Sequence, residues 1–121
     1  MTQFDHEKLN VYQVAIQFVG WSSGLFDDMP RGIAVCKQLD RAATSIPLNI
    51  AEGNGKYTSA DRCRFFDIAR GSTLECAACL DVLVAKGVVE PSVVTDGKAL
   101  LLEIVSMLVG LIRANSDERT F

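Results

Sequence analysis

Between residues 7 and 28, large apolar side chains recur at intervals of three and four along two opposite sides of a helix, and this surplus constrains the fold more than any other feature of the chain. One row is Leu9, Tyr12, Ile16, Val19, Ser23 and Phe26; the other is Val14, Phe18, Trp21 and Leu25. A two-residue offset is roughly 200° around a helix, so Phe18 and Trp21 point away from Ile16 and Val19. The first row is expected to face the core. Each large side chain of the second row left in water forfeits roughly 1.5–3 kcal/mol, so Val14, Phe18, Trp21 and Leu25 are expected to form an interface between copies. The alternative is a broad core-facing arc, or cover from the N-terminal arm through Phe4.

Three more helices follow. Met29-Pro30-Arg31-Gly32 ends the first, because proline disfavours helix in the residue before it. Cys36, Leu39, Ala43, Ile46 and Ile50 define a second over about 33–52, with a kink expected at Pro47, whose missing N–H leaves the Ala43 carbonyl without its helical donor. Gly53-Asn54-Gly55 offers a left-handed C-cap. Thr58 or Ser59 caps a third helix over 59–86, which carries two adjacent stripes: Phe65, Ile68, Ser72, Glu75, Cys79, Val82 and Phe66, Ala69, Thr73, Cys76, Leu80, Leu83. Gly87 closes it. The fourth spans 92–113 behind Pro91, with Val94, Gly97, Leu101, Ile104, Leu108 and Leu111 as its seam and a second row in Leu102, Val105, Val109 and Ile112. Residues 114–121 read as a frayed tail. No alternating strand pattern of useful length is present. The short connections predict an all-α fold, a single-domain antiparallel up-and-down four-helix bundle.

A chain of 121 residues with 49% hydrophobic content can fill such a core without disulfide or metal. Its net charge of −3 argues against bulk electrostatic attachment to nucleic acid, but residues 30–58 hold Arg31, Lys37, Arg41 and Lys56 against Asp40 and Glu52. An anionic partner is therefore expected at the second helix. The four cysteines lie in apolar helical stretches and the N-terminus opens with charged residues, so a cytoplasmic protein with reduced thiols is expected. Ala99 to Ile112 is interrupted by Glu103 and Ser106 and is shorter than the ~20 residues needed to cross a bilayer, so no membrane partner is expected.

Catalytic chemistry finds little to use. His6, the single histidine, precedes the first helix and so is not held on a rigid element as a general base must be. Cys76-x-x-Cys79 lies on a helix without a second pair at metal-ligand spacing, and reads as core. Gly53-Asn54-Gly55-Lys56 does not follow a strand, and Tyr57 stands where a phosphate loop needs Ser or Thr. Asp40, Glu52, Asp67 and Glu75 lack the Glu-x-x-His signature of di-iron bundles. No metal, cofactor or catalytic residue is expected, and a metal-dependent enzyme ranks last among the functions considered.

The polar residues needing explanation are Arg41, Ser45, Asn49 and Glu52 on one face of the second helix and Arg70, Ser72 and Glu75 on the third. Folding the second helix back on the third brings Arg41 to the height of Glu75, and a buried carboxylate requires such a partner, so a polar layer is expected. The alternative use of this face is a ligand groove. Lys37, Arg41, Lys56, Arg62 and Arg64 are the candidate anion-binding residues.

The same residues carry a resemblance. Arg41-Ala-Ala-Thr-Ser-Ile-Pro-Leu-Asn-Ile-Ala-Glu-Gly53, followed by Phe65-Phe-Asp-Ile-Ala-Arg-Gly-Ser-Thr-Leu-Glu75, resembles the family of 23S rRNA intervening-sequence proteins, which includes the accessory variability determinant of diversity-generating retroelements. The likeness extends from Phe4–Tyr12 to Leu100–Ile112, and its Ser-x-Pro-x-Asn-Ile-Ala-Glu-Gly core is specific. It implies a four-helix bundle assembled as a ring-shaped homopentamer. Members are encoded within ribosomal RNA insertions or beside reverse transcriptases, and the retroelement members are strongly basic and bind nucleic acid and the polymerase. This chain departs from those in charge. The expected function is a non-enzymatic oligomeric adaptor for RNA, ribonucleoprotein or a nucleic-acid enzyme; the alternative is a homo-oligomeric scaffold for protein partners that binds no nucleic acid.

Overall fold

The computed structural model describes residues 3–116. Among them are four α-helices, Asn10–Asp27 (α1), Ala34–Asn54 (α2), Ser59–Ala85 (α3) and Thr95–Ala114 (α4), with 3-10 turns at Asp5–Lys8 and Pro91–Val94 and no strand. The first helix begins three residues later than the apolar rows predict, because Leu9 is extended (φ −75, ψ 129) and separates the 3-10 turn from α1. Thr58 caps α3 as expected, its Oγ1 accepting from the Asp61 N–H at 3.1 Å. Gly87 (φ +72) closes the same helix in the left-handed conformation. The helix of α2 continues unbroken through Pro47, which is buried, and reaches Asn54. Gly55 is right-handed (φ −84), so the expected left-handed cap at 53–55 is not formed. Of the tail expected to fray, Ala114 is helical and residues 117–121 lie outside the described residues.

Each helix packs on its neighbours in sequence, and α1 also packs on α4, which closes a four-cornered bundle. Long-range contacts fix every direction as antiparallel. Asn54 donates to Asp5 and Cys36 to Met29, aligning α1 with α2; Ser45 meets Ser72, aligning α2 with α3. Arg62 meets Asn115 while Lys98 pairs with Asp81, aligning α3 with α4. One end of the bundle thus gathers the N-terminal turn, the α2–α3 connection and the C-terminus of α4.

The core follows the expected seam on α2 and one of the two stripes on α3, departs from the expected seam of α4 at its last residue, and reverses the first. On α2 the buried set includes Leu39, Ala43, Ile46 and Ile50; on α3 the whole stripe from Phe66 to Leu83 is buried; on α4 it is Val94, Gly97, Leu101, Ile104, Leu108 and Ile112, the last in place of the expected Leu111, which is half-buried. On α1, however, the buried residues are Val11, Ala15, Phe18 and Ser22, with Val14, Trp21 and Leu25 half-buried beside them. Phe18 is completely enclosed, its ring 5.6 Å from that of Trp21. The row assigned to the core is the more outward one: Ile16 is 45% exposed and Ser23 exposed, while Leu9, Tyr12, Val19 and Phe26 are half-buried at the edge of the core. The physical reason is that Ala15 and Ser22 let α1 lie close against its neighbours. A reading weighted by side-chain size passes over them.

Two glycines sit where a neighbouring helix's aromatic side chain leaves no room for a Cβ. A Cβ on Gly97 of α4 would lie 2.4 Å from the rim of the Trp21 ring. One on Gly53 of α2 would lie 2.8 Å from the Phe66 ring and 3.0 Å from the Phe65 Cβ. Among the described residues α2 packs most extensively against α3, and at Gly53 that packing leaves no room for a Cβ.

Candidate functional site

The expected polar layer forms only at its centre. Asn49 Nδ2 donates to the Ser45 carbonyl (2.8 Å) and to Ser45 Oγ (2.9 Å), and Ser72 Oγ donates to the same hydroxyl at 2.9 Å. These three side chains are half-buried in the α2–α3 seam. Arg41, Glu52 and Glu75 are exposed, Arg70 is half-buried, and among the described residues no ion pair joins Arg41 to Glu75. The Ser45–Ser72 bond does bring Arg41 and Glu75 to similar heights. Both side chains face water, so neither charge needs the other, and the expectation of a buried Arg41–Glu75 pair is corrected. The motif around Ser45 thereby acquires a structural account: Ser45 and Asn49 bond within the seam, Pro47 and Ile50 enter the core, and Gly53 receives the Phe66 ring.

The five candidate anion-binding residues do not form one patch. Lys37 and Arg41 are exposed on the first half of α2, and at 1.5 Å per residue Arg41 stands about 20 Å from the helix end at Asn54. Lys56 and Arg64 are at the other end, at the corner between α2 and α3. Arg62 shares that corner but is committed to holding it together. Its guanidinium donates to the Asn54 carbonyl (2.8 Å), the Lys56 carbonyl (3.3 Å) and Asn115 Oδ1 (3.1 Å), and lies 5.7 Å from the centre of the buried Phe66 ring. One side chain thus ties the ends of α2 and α4 to the start of α3.

Phe65 organises the rest. Lys56 Nζ sits 5.0 Å from the centre of its ring and the Arg64 guanidinium carbon 5.1 Å, so two cations share one half-buried aromatic face system. Beside them Tyr57 is 101% exposed, the most exposed large hydrophobic side chain among the described residues. In the sequence, Tyr57 serves only to exclude a phosphate loop and Phe65 only as part of an apolar stripe. The signal was available: an aromatic in a Gly-Lys-Tyr-Thr-Ser turn belongs to no helical row and has no seam to enter.

The cysteines offer no reactive centre. Burial pushes the Cys76 thiol up to about 12, with smaller contributions from Cys79 and then Glu75; burial raises Cys79 as well, ahead of Glu75 and Cys36, and also raises Cys36. A thiol held protonated is a poor nucleophile and a poor metal ligand. All four cysteines are free. Dithionitrobenzoate at pH 7.5 is therefore expected to react slowly with the folded protein and with all four thiols rapidly after unfolding in guanidinium. The raised value also has a pH consequence. Below the ordinary thiol value of 9.0 folded and unfolded states both keep the proton on Cys76; between 9.0 and about 12 only the unfolded state releases it, so stability falls as pH rises through that window. Thermal melts from pH 8 to 11 are expected to show a falling Tm, and replacing Cys76 by Ala should flatten that fall.

Among the described residues, no three His, Cys, Asp or Glu side chains gather to hold a metal, and no helix is long and apolar enough to cross a membrane. A shallow groove of about 330 Å³ runs between α3 and α4, lined by Thr73, Leu74, Ala77, Leu101, Leu102 and Val105 beside Lys98. Leu102 is 73% exposed there and Leu74 48%.

A family model described as 23S rRNA-intervening sequence protein matches residues 7–110. Among solved structures, the chain is similar to a protein of unknown function from the S23 ribosomal protein family of Bacteroides thetaiotaomicron, with a TM-score of 0.80 and 22% identity, over 85% of this chain and 98% of that one. At that identity the likeness is one of fold. No curated protein matches.

Proposed function

This chain belongs to the 23S rRNA-intervening sequence protein family, and from that premise we propose that it is a non-enzymatic, self-assembling adaptor for RNA, ribonucleoprotein or a nucleic-acid enzyme. The observation that carries the assembly is apolar surface left uncovered on two separate sides of the bundle. One side is the outward row of α1, with Ile16 45% exposed between Tyr12 and Val19; the other is the α3–α4 groove with Leu102 and Leu74. Because α1 packs on α2 and α4, it lies diagonally across the bundle from α3. Two different patches, one on each side, favour a head-to-tail contact over a self-complementary pair, and head-to-tail contacts that close make rings. The interface therefore moves from Val14, Phe18, Trp21 and Leu25 to the opposite row of α1, and the homopentamer implied by the resemblance is the assembly proposed.

Light scattering tests this directly. The expected mass is about five times the 13.2 kDa of one chain, and Ile16→Asp or Leu102→Asp should return it to a folded single chain. A wild-type protein of one-chain mass at tens of micromolar would end the assembly reading. The net charge of −3 favours a second reading, a scaffold that binds protein partners alone, and absence of any affinity for RNA in an intact assembly would select it.

A further inference from the structure

We propose that the α2–α3 corner is a binding site for single-stranded nucleic acid, in which Tyr57 stacks a base while Lys56 and Arg64, gathered on the Phe65 ring, take the flanking phosphates. The proposal rests on the adaptor reading above and names the place and chemistry of its contact. Three observations carry it. Tyr57 is an aromatic ring wholly in water at a turn whose backbone is pinned, since Arg62 holds the carbonyls on both sides of Gly55 and the Lys56 N–H donates to Gly53. A stacking platform needs that combination of open face and fixed base.

Second, Lys56 and Arg64 each lie about 5 Å from one ring centre, which places the two cations within about 10 Å of each other, inside a Debye length at 0.1 M salt. Like charges so held repel, and a bound anion relieves that repulsion. Third, two acidic groups near the corner have roles of their own, since Asp5 accepts from Asn54 and Asp61 stands in the first turn of α3, where the helix dipole favours it; Glu52 and Asp67 lie within four residues of Lys56 and Arg64. Arg62 is a positioning residue, because its Nε donates to Asn115 and its Nη1 to the Asn54 and Lys56 carbonyls. Arg41, about 20 Å along α2, takes no part.

Two cations and one platform make a weak site, and its strength in the cell comes from repetition around the assembly. The experiment uses the full chain and a fluorescein-labelled single-stranded RNA 12-mer, its DNA equivalent and the RNA duplex, with anisotropy read at 50 and 200 mM salt. With two phosphates contacted, the binding constant for single strands should fall about sevenfold over that range, from a slope near −0.7 per phosphate. Tyr57→Ala should weaken binding about tenfold without changing the salt slope, and Tyr57→Phe should restore it. Lys56→Ala with Arg64→Ala should abolish the salt dependence and most of the binding. Arg41→Ala should leave both unchanged, and the duplex, whose bases are already stacked, should bind more weakly than either single strand.

Equal affinity for duplex and single strand, or full binding by Tyr57→Ala, overturns the stacking site. The mutated side chains are at the surface, and unchanged melting curves for the variants separate lost contacts from lost fold. Mass measured in the same samples separates the two readings. An intact assembly with no affinity for any oligonucleotide overturns this site and leaves self-association standing. A single chain that binds with the responses above supports the site and overturns the assembly.

Discussion

Phe18→Asp is expected to unfold the protein, not to release subunits from one another. The ring is completely enclosed by its own chain, tilted by 31° against the Trp21 ring and surrounded by the common core. Truncating a buried Phe costs about 3–5 kcal/mol through lost transfer energy and the space left behind. A carboxylate in that space adds the penalty of an unpaired buried charge, or of the protonation that avoids it. The sum rivals the roughly 5–15 kcal/mol that stabilises a domain of this kind. Circular dichroism should show the helical signal and the cooperative melt both lost. Ile16→Asp, two residues earlier on the opposite side of α1, places the same carboxylate in water and should keep both. A folded Phe18→Asp protein would mean that α1 is rotated by half a turn from the arrangement described.

Gly53→Ala should destabilise the bundle although alanine is the better helix former by about 1 kcal/mol. The added Cβ would meet the Phe66 ring at 2.8 Å and the Phe65 Cβ at 3.0 Å. Phe66 is fully buried and capped by the Arg62 guanidinium, so its ring cannot swing outwards; the helices must part instead. Overpacking of this kind costs about 1–3 kcal/mol net of small gains, which at this chain length lowers Tm by roughly 5–10 °C. The same substitution at Gly71, in the middle of α3 with nothing within 4 Å of an added Cβ, is the matched control and should raise Tm slightly. Equal melting of Gly53→Ala and wild type would remove close approach as the reason for glycine in the Asn-Ile-Ala-Glu-Gly segment.

Helix α2 was legible because it presents one apolar row, and α3 because Phe66, Leu80 and Leu83 outweigh the polar Ser72 and Glu75 of its neighbouring stripe; α4, with two rows, was legible as far as Leu108, after which Ile112 of the second row takes the buried place expected of Leu111. On α1 the two rows are of nearly equal bulk, and the choice between them falls to Ala15 and Ser22, whose small size carries no weight in a periodicity of large side chains. Spacing alone also gave Arg41 and Glu75 their common height but not their exposure, which depends on how far each side chain reaches past the seam. The corner was least legible. Lys56, Tyr57, Arg62, Arg64 and Phe65 are close in sequence, yet which cation faces a ring and which is spent on carbonyls follows from the turn of the chain and from Asn115 on another helix.

That last contact has a mechanical meaning. Asn115 is 53 residues away from Arg62 along the chain, and its amide also donates to the Leu111 carbonyl at 2.7 Å, so it is anchored at the end of α4 while holding the guanidinium. A load applied where α4 ends is passed through one planar cation to the backbone that carries Tyr57. The end of α4 and the loop that displays Tyr57 are two ends of a single short lever.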